Sequence, residues 1–262
     1  MLGKELVHDT SLSKIERLYI RVFGIPVHGL RNRARRILPL VTKRGYINIL
    51  DHGCGSFGSF TFEIARILPD STVIGIDIIF QNEFFHSKNS ILAEIAGLKN
   101  CRFESPLFFD ITDKTAQEQY DLVLSIDVLE HIHDDSKTLN FYHSVLLPGG
   151  DLILHVPGYY RRWFLFGWKV NFDVEGHFRP GYTMENIVSK VKDAGFVIIE
   201  HYYTYGWLET ITNNISYLIT GARMKRKYLY ALIFPILLII SWFGRNSKPD
   251  RGAGILLKVR KQ

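Results

Sequence analysis

Ile47-Asn-Ile-Leu-Asp-His-Gly-Cys-Gly-Ser-Phe-Gly58 decides the reading of this chain. It runs from an apolar stretch into a glycine-rich turn, with Asp51 at the point of change. Gly53, Gly55 and Gly58 fit G-x-G-x-x-G, a spacing that lets bare backbone approach a nucleoside-bearing ligand. Alone this is a weak signal, because any tight strand-to-helix turn can need glycines. Thr72-Val-Ile-Gly-Ile-Asp77 strengthens it: a second apolar run ends in an acid about twenty residues on, where a ribose-binding carboxylate belongs. The pair predicts a βαβ nucleotide-binding unit.

Charge then separates the ligands. A dinucleotide brings an anionic pyrophosphate to the helix N-terminus. Here Asp51 and Asp77 are joined by two more acids that end apolar runs, Asp110 and Asp127. Strand ends in such a sheet face the ligand crevice. Four carboxylates repel a pyrophosphate and suit a ligand with cationic groups and a ribose. S-adenosylmethionine has a sulfonium, an ammonium and a ribose diol. Capping of loops by side-chain hydrogen bonds is the plainer reading of Asp110 and Asp127.

With those residues in view, the chain resembles the class I S-adenosylmethionine-dependent methyltransferases. The resemblance rests on the 51–58 turn, Gly75-Ile-Asp77, Tyr120-Asp-Leu-Val-Leu-Ser-Ile-Asp-Val-Leu-Glu-His131 and Leu146-Leu-Pro-Gly-Gly-Asp-Leu-Ile-Leu154, in the family's order. It implies that the turn from Gly53 through Cys54 and Gly55 to Gly58 holds the methionine part of the cofactor, with Asp51 orienting it. Asp77, with Ile78 beside it, would accept both ribose hydroxyls. Asp110 and Ile111 would sit at the adenine edge, although Ser105-Pro106 interrupts the run before them. Ser125, Ile126 and Asp127 would line the floor beneath the sulfonium. Phe57 departs from the family, where a small residue is common. The implied fold is α/β, a Rossmann-like doubly wound sheet of seven strands in the order 3-2-1-4-5-7-6 with the last strand antiparallel. Asp127-x-x-Glu130-His131 also resembles a divalent-ion pattern of some relatives. The reading favoured is that Glu130 and His131 fix a turn, and no metal is expected.

Alternation of apolar strands and helical stretches supports a mostly parallel sheet. Strands are expected at 46–51, 72–77, 101–104, 121–126, 150–156 and 196–203, with Gly254–Lys261 last. Helices are expected at about 58–68, 88–97, 135–146 and 184–194. Four regions follow: a helical N-terminal extension (1–44), the cofactor-binding core (45–205), an apolar insertion (206–247) and the final strand (248–262). In the extension, Ser13 can cap a helix with Ile15, Leu18 and Val22 on one face. Arg31, Arg33, Arg35 and Arg36 follow, most simply a solvated face, alternatively a lid over the crevice or a contact for an anionic acceptor. Residues 157–182 read as a loop-rich connection with an aromatic cluster from Tyr159 to Phe172. In the insertion, Tyr228–Phe243 carries no charge and holds Pro235. Its sixteen residues are short of the roughly 20 that span a bilayer. Arg223, Lys225, Arg226 and Lys227 precede it, and Arg245, Lys248 and Arg251 follow. Basic flanks on both sides suit a segment lying on an anionic membrane surface, with a buried hairpin or a dimer contact as the other readings.

The chain has 262 residues, a net charge of +6 and two cysteines, Cys54 and Cys101, so no disulfide or metal framework is visible. Charged residues at Lys4, Glu5, Asp9, Lys14 and Glu16 break any signal-peptide core. The expected location is cytoplasmic, peripheral on the cytoplasmic face of a membrane. The expected reaction is O-methylation of a small-molecule or lipid-linked acceptor, with His177 as first candidate base and His131 second; His155 reads as structural. A nucleic-acid methyltransferase is disfavoured, since no Asn-Pro-Pro-Tyr-type motif is present. A membrane-associated, non-catalytic protein of methyltransferase-like fold and a nicotinamide-linked oxidoreductase are the other readings.

Overall fold

The computed structural model describes residues 2–105, 119–163, 167–170, 176–220 and 226–262. Its centre is a sheet in which β1 (Asn48–His52), β2 (Thr72–Ile76), β3 (Cys101–Glu104), β4 (Tyr120–Ile126) and β5 (Leu146–Pro157) run parallel. Two later strands, β8 (Phe196–Thr204) and β9 (Gly254–Lys261), complete it in the order β3-β2-β1-β4-β5-β9-β8; β9 pairs antiparallel with both β5 and β8, so β8 runs with the first five and β9 against them. This is the expected seven-stranded order. The apolar runs are strands buried on both faces, and successive residues point to opposite sides. Ile49, Leu122 and Leu124 thus enter one core with α2 (His28–Thr42), α3 (Ser59–Ile67) and α4 (Glu83–Ile95). Leu50 and Val123 enter the other, under α5 (Asp135–Val145) and α6 (Met184–Asp193).

Local signals explain most boundaries. Ser13 and Glu16 form a capping box at the start of α1 (Lys14–Phe23), and Thr183 caps α6 through Asn186 N. Helix α4 begins earlier than expected because Asn82 accepts from Phe84 N and caps it. Strand β5 begins at Leu146, ahead of the glycine pair, with a register shift against β4.

Two expectations need correction. The 157–182 connection is not only loop. It holds a hairpin of β6 (Tyr160–Trp163) and β7 (Gly167–Val170), whose aromatic composition suits a strand as well as a loop. Of the aromatic cluster, Tyr159 and Tyr160 are described, and the side chains from Trp163 to Phe172 lie outside what is described. Nor are the arginines of α2 a solvated face. Arg36 is buried against Glu209, and Arg35 donates to Ser241 Oγ (2.7 Å) and Leu238 O (3.0 Å). The reason is that α2 is packed between the sheet and a helical hairpin, so several of its faces meet protein.

That hairpin is the 206–247 insertion: α7 (Trp207–Thr220) and α8 (Lys227–Phe243). Tyr230, Phe234 and Leu237 of α8 pack on Ile215 and Ile219 of α7 and on Tyr19 of α1. Helix α8 has 17 residues, about 25 Å at 1.5 Å each, against roughly 30 Å of bilayer hydrocarbon. Among the described residues no helix is long and apolar enough to cross a membrane.

Candidate active site

The glycine turn leaves β1 at the C-terminal edge of the sheet and is tied to the end of β2. Gly53 N donates to Ile76 O (2.7 Å), and Gly55 N donates to Asp77 Oδ2 (2.8 Å). Gly53 has φ 73°, and a Cβ there would collide with Val128 Cγ2, so the loops after β1 and β4 touch at this glycine. Gly55 has φ 72°, but a Cβ there would meet nothing within 4 Å. The turn is therefore pressed against protein at one glycine and open at the next. That is the shape a bound nucleoside ligand needs.

Asp77 stands at the open side. Its Oδ1 accepts from Ile79 N (3.0 Å), capping a short 3₁₀ turn, and Oδ2 takes Gly55 N. A carboxylate has about four lone-pair sites, so both oxygens retain capacity for a diol. Ile78 beside it is 69% exposed, an apolar surface at the mouth of the site. Asp51 does not face the crevice openly as its place before the glycines suggests. It is buried beneath the turn and accepts from Thr61 Oγ1 (2.7 Å). Burial pushes its carboxyl up to about 6, helped by the charge of Asp77. Burial also raises the Cys54 thiol. Asp110 and Ile111 lie outside the described residues.

At the end of β4, Ser125 is fully buried and accepts from the Tyr142 hydroxyl (3.0 Å), which also meets His52 Nδ1. Burial holds His52 neutral, at about 4. Ile126 packs into the core on the α2 side. Of the three residues expected on the floor, Asp127 alone lines the large cavity. It adopts φ 55°, a left-handed conformation that a non-glycine residue keeps only when held. It is held from two sides: His155 Nδ1 at 2.6 Å and Arg33 Nη1 at 3.0 Å. Burial alone would raise its carboxyl, but Arg33 and His155 outweigh it and keep Asp127 below the usual carboxylate range. His155, expected to be structural, is in turn bonded to Thr204 Oγ1 (3.0 Å) and also lines the cavity.

The cavity beside Asp127 measures about 360 Å³. Arg33 of α2, Glu130, His131, His177, Tyr205 and Asn213 of α7 are among its walls. The structure brings the two candidate bases together: the rings of His131 and His177 meet edge to face at 4.4 Å. His131 Nδ1 lies 2.9 Å from Gly176 O and donates its proton there. Phe178 N donates to Glu130 O (2.8 Å), and Arg179 Nη1 donates to Ile132 O (2.8 Å). These bonds clamp the loop of His177 onto the turn of His131. Glu130 is buried, with Oε2 lacking a hydrogen-bond partner, and burial followed by the Asp127 charge pushes its carboxyl up to about 8. Both causes favour its protonated form. Glu130, His131 and His177 also place one donor atom each within 4.8 Å of one another, close enough to share a metal ion.

Sequence reasoning missed Arg33, Tyr205 and Asn213 as parts of this site. Arg33 gives no signal among four similar arginines. Tyr205 closes the core segment just after β8, and Asn213 belongs to the insertion, where only the apolar run stands out.

Residues 44–215 match the family model for a methyltransferase domain. A stretch of 126 residues is 32% identical to trans-aconitate 2-methyltransferase of Deinococcus radiodurans, covering 47% of this chain and 43% of that one. Another of 112 residues is 32% identical to the mitochondrial ubiquinone biosynthesis O-methyltransferase of Homo sapiens, covering 41% and 28%. The match thus spans less than half the length of these curated relatives. In fold, the chain aligns with an O-methyltransferase from a polyketide synthase of Brevibacillus brevis in complex with S-adenosyl-L-homocysteine. The TM-score is 0.54 at 15% identity, over 98% of this chain and 79% of that one. With the family model matched across most of the chain and the seven-stranded order in place, the chain belongs to the methyltransferase-domain family, the class I S-adenosyl-L-methionine-dependent methyltransferases.

Proposed function

We propose that the protein methylates an oxygen of a small amphiphilic acceptor, such as a lipid, a quinone or a lipid-linked sugar, at a membrane surface. The observation that carries this is the cavity beside Asp127, which joins a histidine pair to polar groups on α7 of the apolar insertion. One human relative bears the name ubiquinone biosynthesis O-methyltransferase, which fits a quinone among these acceptors.

When bound, the cofactor supplies a methyl group on a sulfonium. The chain's own residues do the rest. The Gly53–Gly55 turn would receive the methionine part, with Asp51 beneath it; Asp77 would hold the ribose, and Asp127, fixed by Arg33 and His155, would border the reacting end. The cavity aligns the acceptor oxygen for in-line displacement, and proximity of this kind can supply most of the rate. As the new O–C bond forms and the S–C bond breaks, the hydroxyl proton must leave. His177 takes it, with His131 at its ring edge as the second acceptor. A neutral Glu130 beside them neither competes for the proton nor repels an electron-rich oxygen.

Titration calorimetry with S-adenosylmethionine, S-adenosylhomocysteine and NAD tests the cofactor half. We expect binding of both adenosyl ligands, weakened at least ~100-fold in Asp77→Ala, as loss of charge-assisted bonds to a diol implies. Binding of NAD alone would overturn the reading. With an acceptor found, His177→Gln should lower kcat by roughly 10²-fold or more while leaving S-adenosylhomocysteine affinity unchanged.

A further inference from the structure

Helix α8 is apolar around its whole circumference, yet only one side is buried. Tyr230, Phe234 and Leu237 face the core, while Leu232 (74% exposed), Ile236, Ile239 and Phe243 form a strip on the opposite side. Helix α1 carries a second strip: Ile15 (79% exposed), Leu18 and Val22, three to four residues apart on one face. The two helices touch near the start of α8. Tyr19 of α1 donates to Ala231 O of α8 at 2.7 Å, and Lys227 of α8 meets Glu16 of α1 at 3.5 Å. Large apolar side chains this exposed and this aligned mark an interaction surface rather than scattered surface residues.

We propose that α1 and α8 together form a platform that seats the protein on an anionic lipid leaflet, as an interfacial rather than a spanning element. This deepens the reading of a membrane-presented acceptor and rests on it only for its biological purpose. Charge complementarity selects the occupant. Lys14 and Arg21 lie one turn either side of Leu18, Arg226 and Lys227 precede the α8 strip, and Arg245 and Lys248 follow it. The acids that meet these cations are already engaged: Glu16 by Ser13 and Lys227, and Glu200 by Lys248 at 3.9 Å. A second copy would bring the same cations against this rim, with both of these carboxylates already taken. Phosphate headgroups would receive them. The ends of α8 are aromatic as well: Tyr228 is 79% exposed at one end, and at the other Arg245 stacks 3.5 Å from the ring centre of Trp242. Rings of this kind suit headgroup depth. The cavity beside Asp127 is lined in part by Asn213 and Tyr217 of α7, which packs on the inner side of α8, so docking would hold the cavity within one helix layer of the lipid.

The test is co-sedimentation of the full chain with phosphatidylcholine vesicles and with vesicles containing about one third phosphatidylglycerol. We expect binding to the anionic vesicles to exceed binding to the neutral ones by roughly ten-fold or more and to weaken in high salt. Leu232→Glu with Ile236→Glu, and separately Ile15→Glu with Leu18→Glu, should each reduce it by at least ~ten-fold, since all four positions are exposed in the free protein. No vesicle binding by the unaltered protein overturns the proposal, and that arm does not depend on any variant folding. Undiminished binding in the α1 pair overturns the two-helix platform. A dimer in light scattering that the α8 pair turns into monomer assigns the face to a second copy instead. Calorimetry with S-adenosylhomocysteine on the same samples keeps the two readings apart, because it reports the methyltransferase site whatever the vesicles show.

Discussion

Gly53 and Gly55 share a backbone conformation and differ in surroundings, and that difference can be measured. At φ 73° and 72° a side chain is strained at either position. At Gly53 it would also collide with Val128 Cγ2 and lie 3.0 Å from Cγ1. Gly53→Ala should therefore cost about 2–4 kcal/mol, strain plus overpacking, and Gly55→Ala about 1 kcal/mol. Denaturant unfolding gives the two values, and titration with S-adenosylhomocysteine adds the functional contrast. Gly55→Ala should stay folded and lose affinity, because its methyl enters the open space of the site. Glu130 supplies a second prediction. Its carboxyl is raised from 4.5 to about 8 in the folded chain. Below the unfolded value both states hold the proton; between the two values the folded state alone does. Stability from this group is thus present in acid and lost as pH rises through the folded value. Between about pH 5 and pH 8.5 the melting temperature of the unaltered protein should fall further than that of Glu130→Gln, which cannot ionise. Parallel curves would show that Glu130 is ionised throughout.

At the scale of elements, the contact between α2 and α7 matters most to the acceptor side of the site. Arg36 and Glu209 have side chains 4% and 0% exposed, and Arg36 Nη1 also donates to Ser247 O at 2.9 Å. Removing one partner of a buried pair leaves an uncompensated charge. Glu209→Ala should destabilise by about 3–5 kcal/mol, and Arg36→Met with Glu209→Leu should recover most of it. Equal losses in the single and double variants would mean that packing, not charge, holds the two helices. This contact also marks where sequence reading stops. The β1 turn, the Asp77 strand end and the caps at Ser13 and Thr183 are local, each set by residues within a few positions of one another. An arginine on a helix carries no local sign of its partner. Arg33 reaches Asp127 and Arg36 reaches Glu209, both far along the chain, and only the fold brings them together. The His131–His177 pairing was half legible. Each residue could be named as a base candidate, but the clamp through Gly176, Phe178 and Arg179 that brings their rings edge to face is tertiary.

Across the whole molecule, the sheet order places the ends of β1, β2 and β4 side by side, and their loops build the cofactor side. The acceptor side is added by segments from outside the parallel core, α2 from before it and α7 from the insertion. Strands could be read from apolar runs, but their spatial order came through likeness to a family and not through any property of the runs themselves. The place of β9 has a further consequence. It lies between β5 and β8, and β8 is bonded to the sheet through β9 alone. In synthesis, β8 and then the whole α7–α8 hairpin emerge before the strand that joins them to the rest. For that interval the nascent chain presents an apolar helix beside an uncompleted sheet edge. The order of emergence therefore leaves the apolar side chains of α8 uncovered until β9 has closed the sheet.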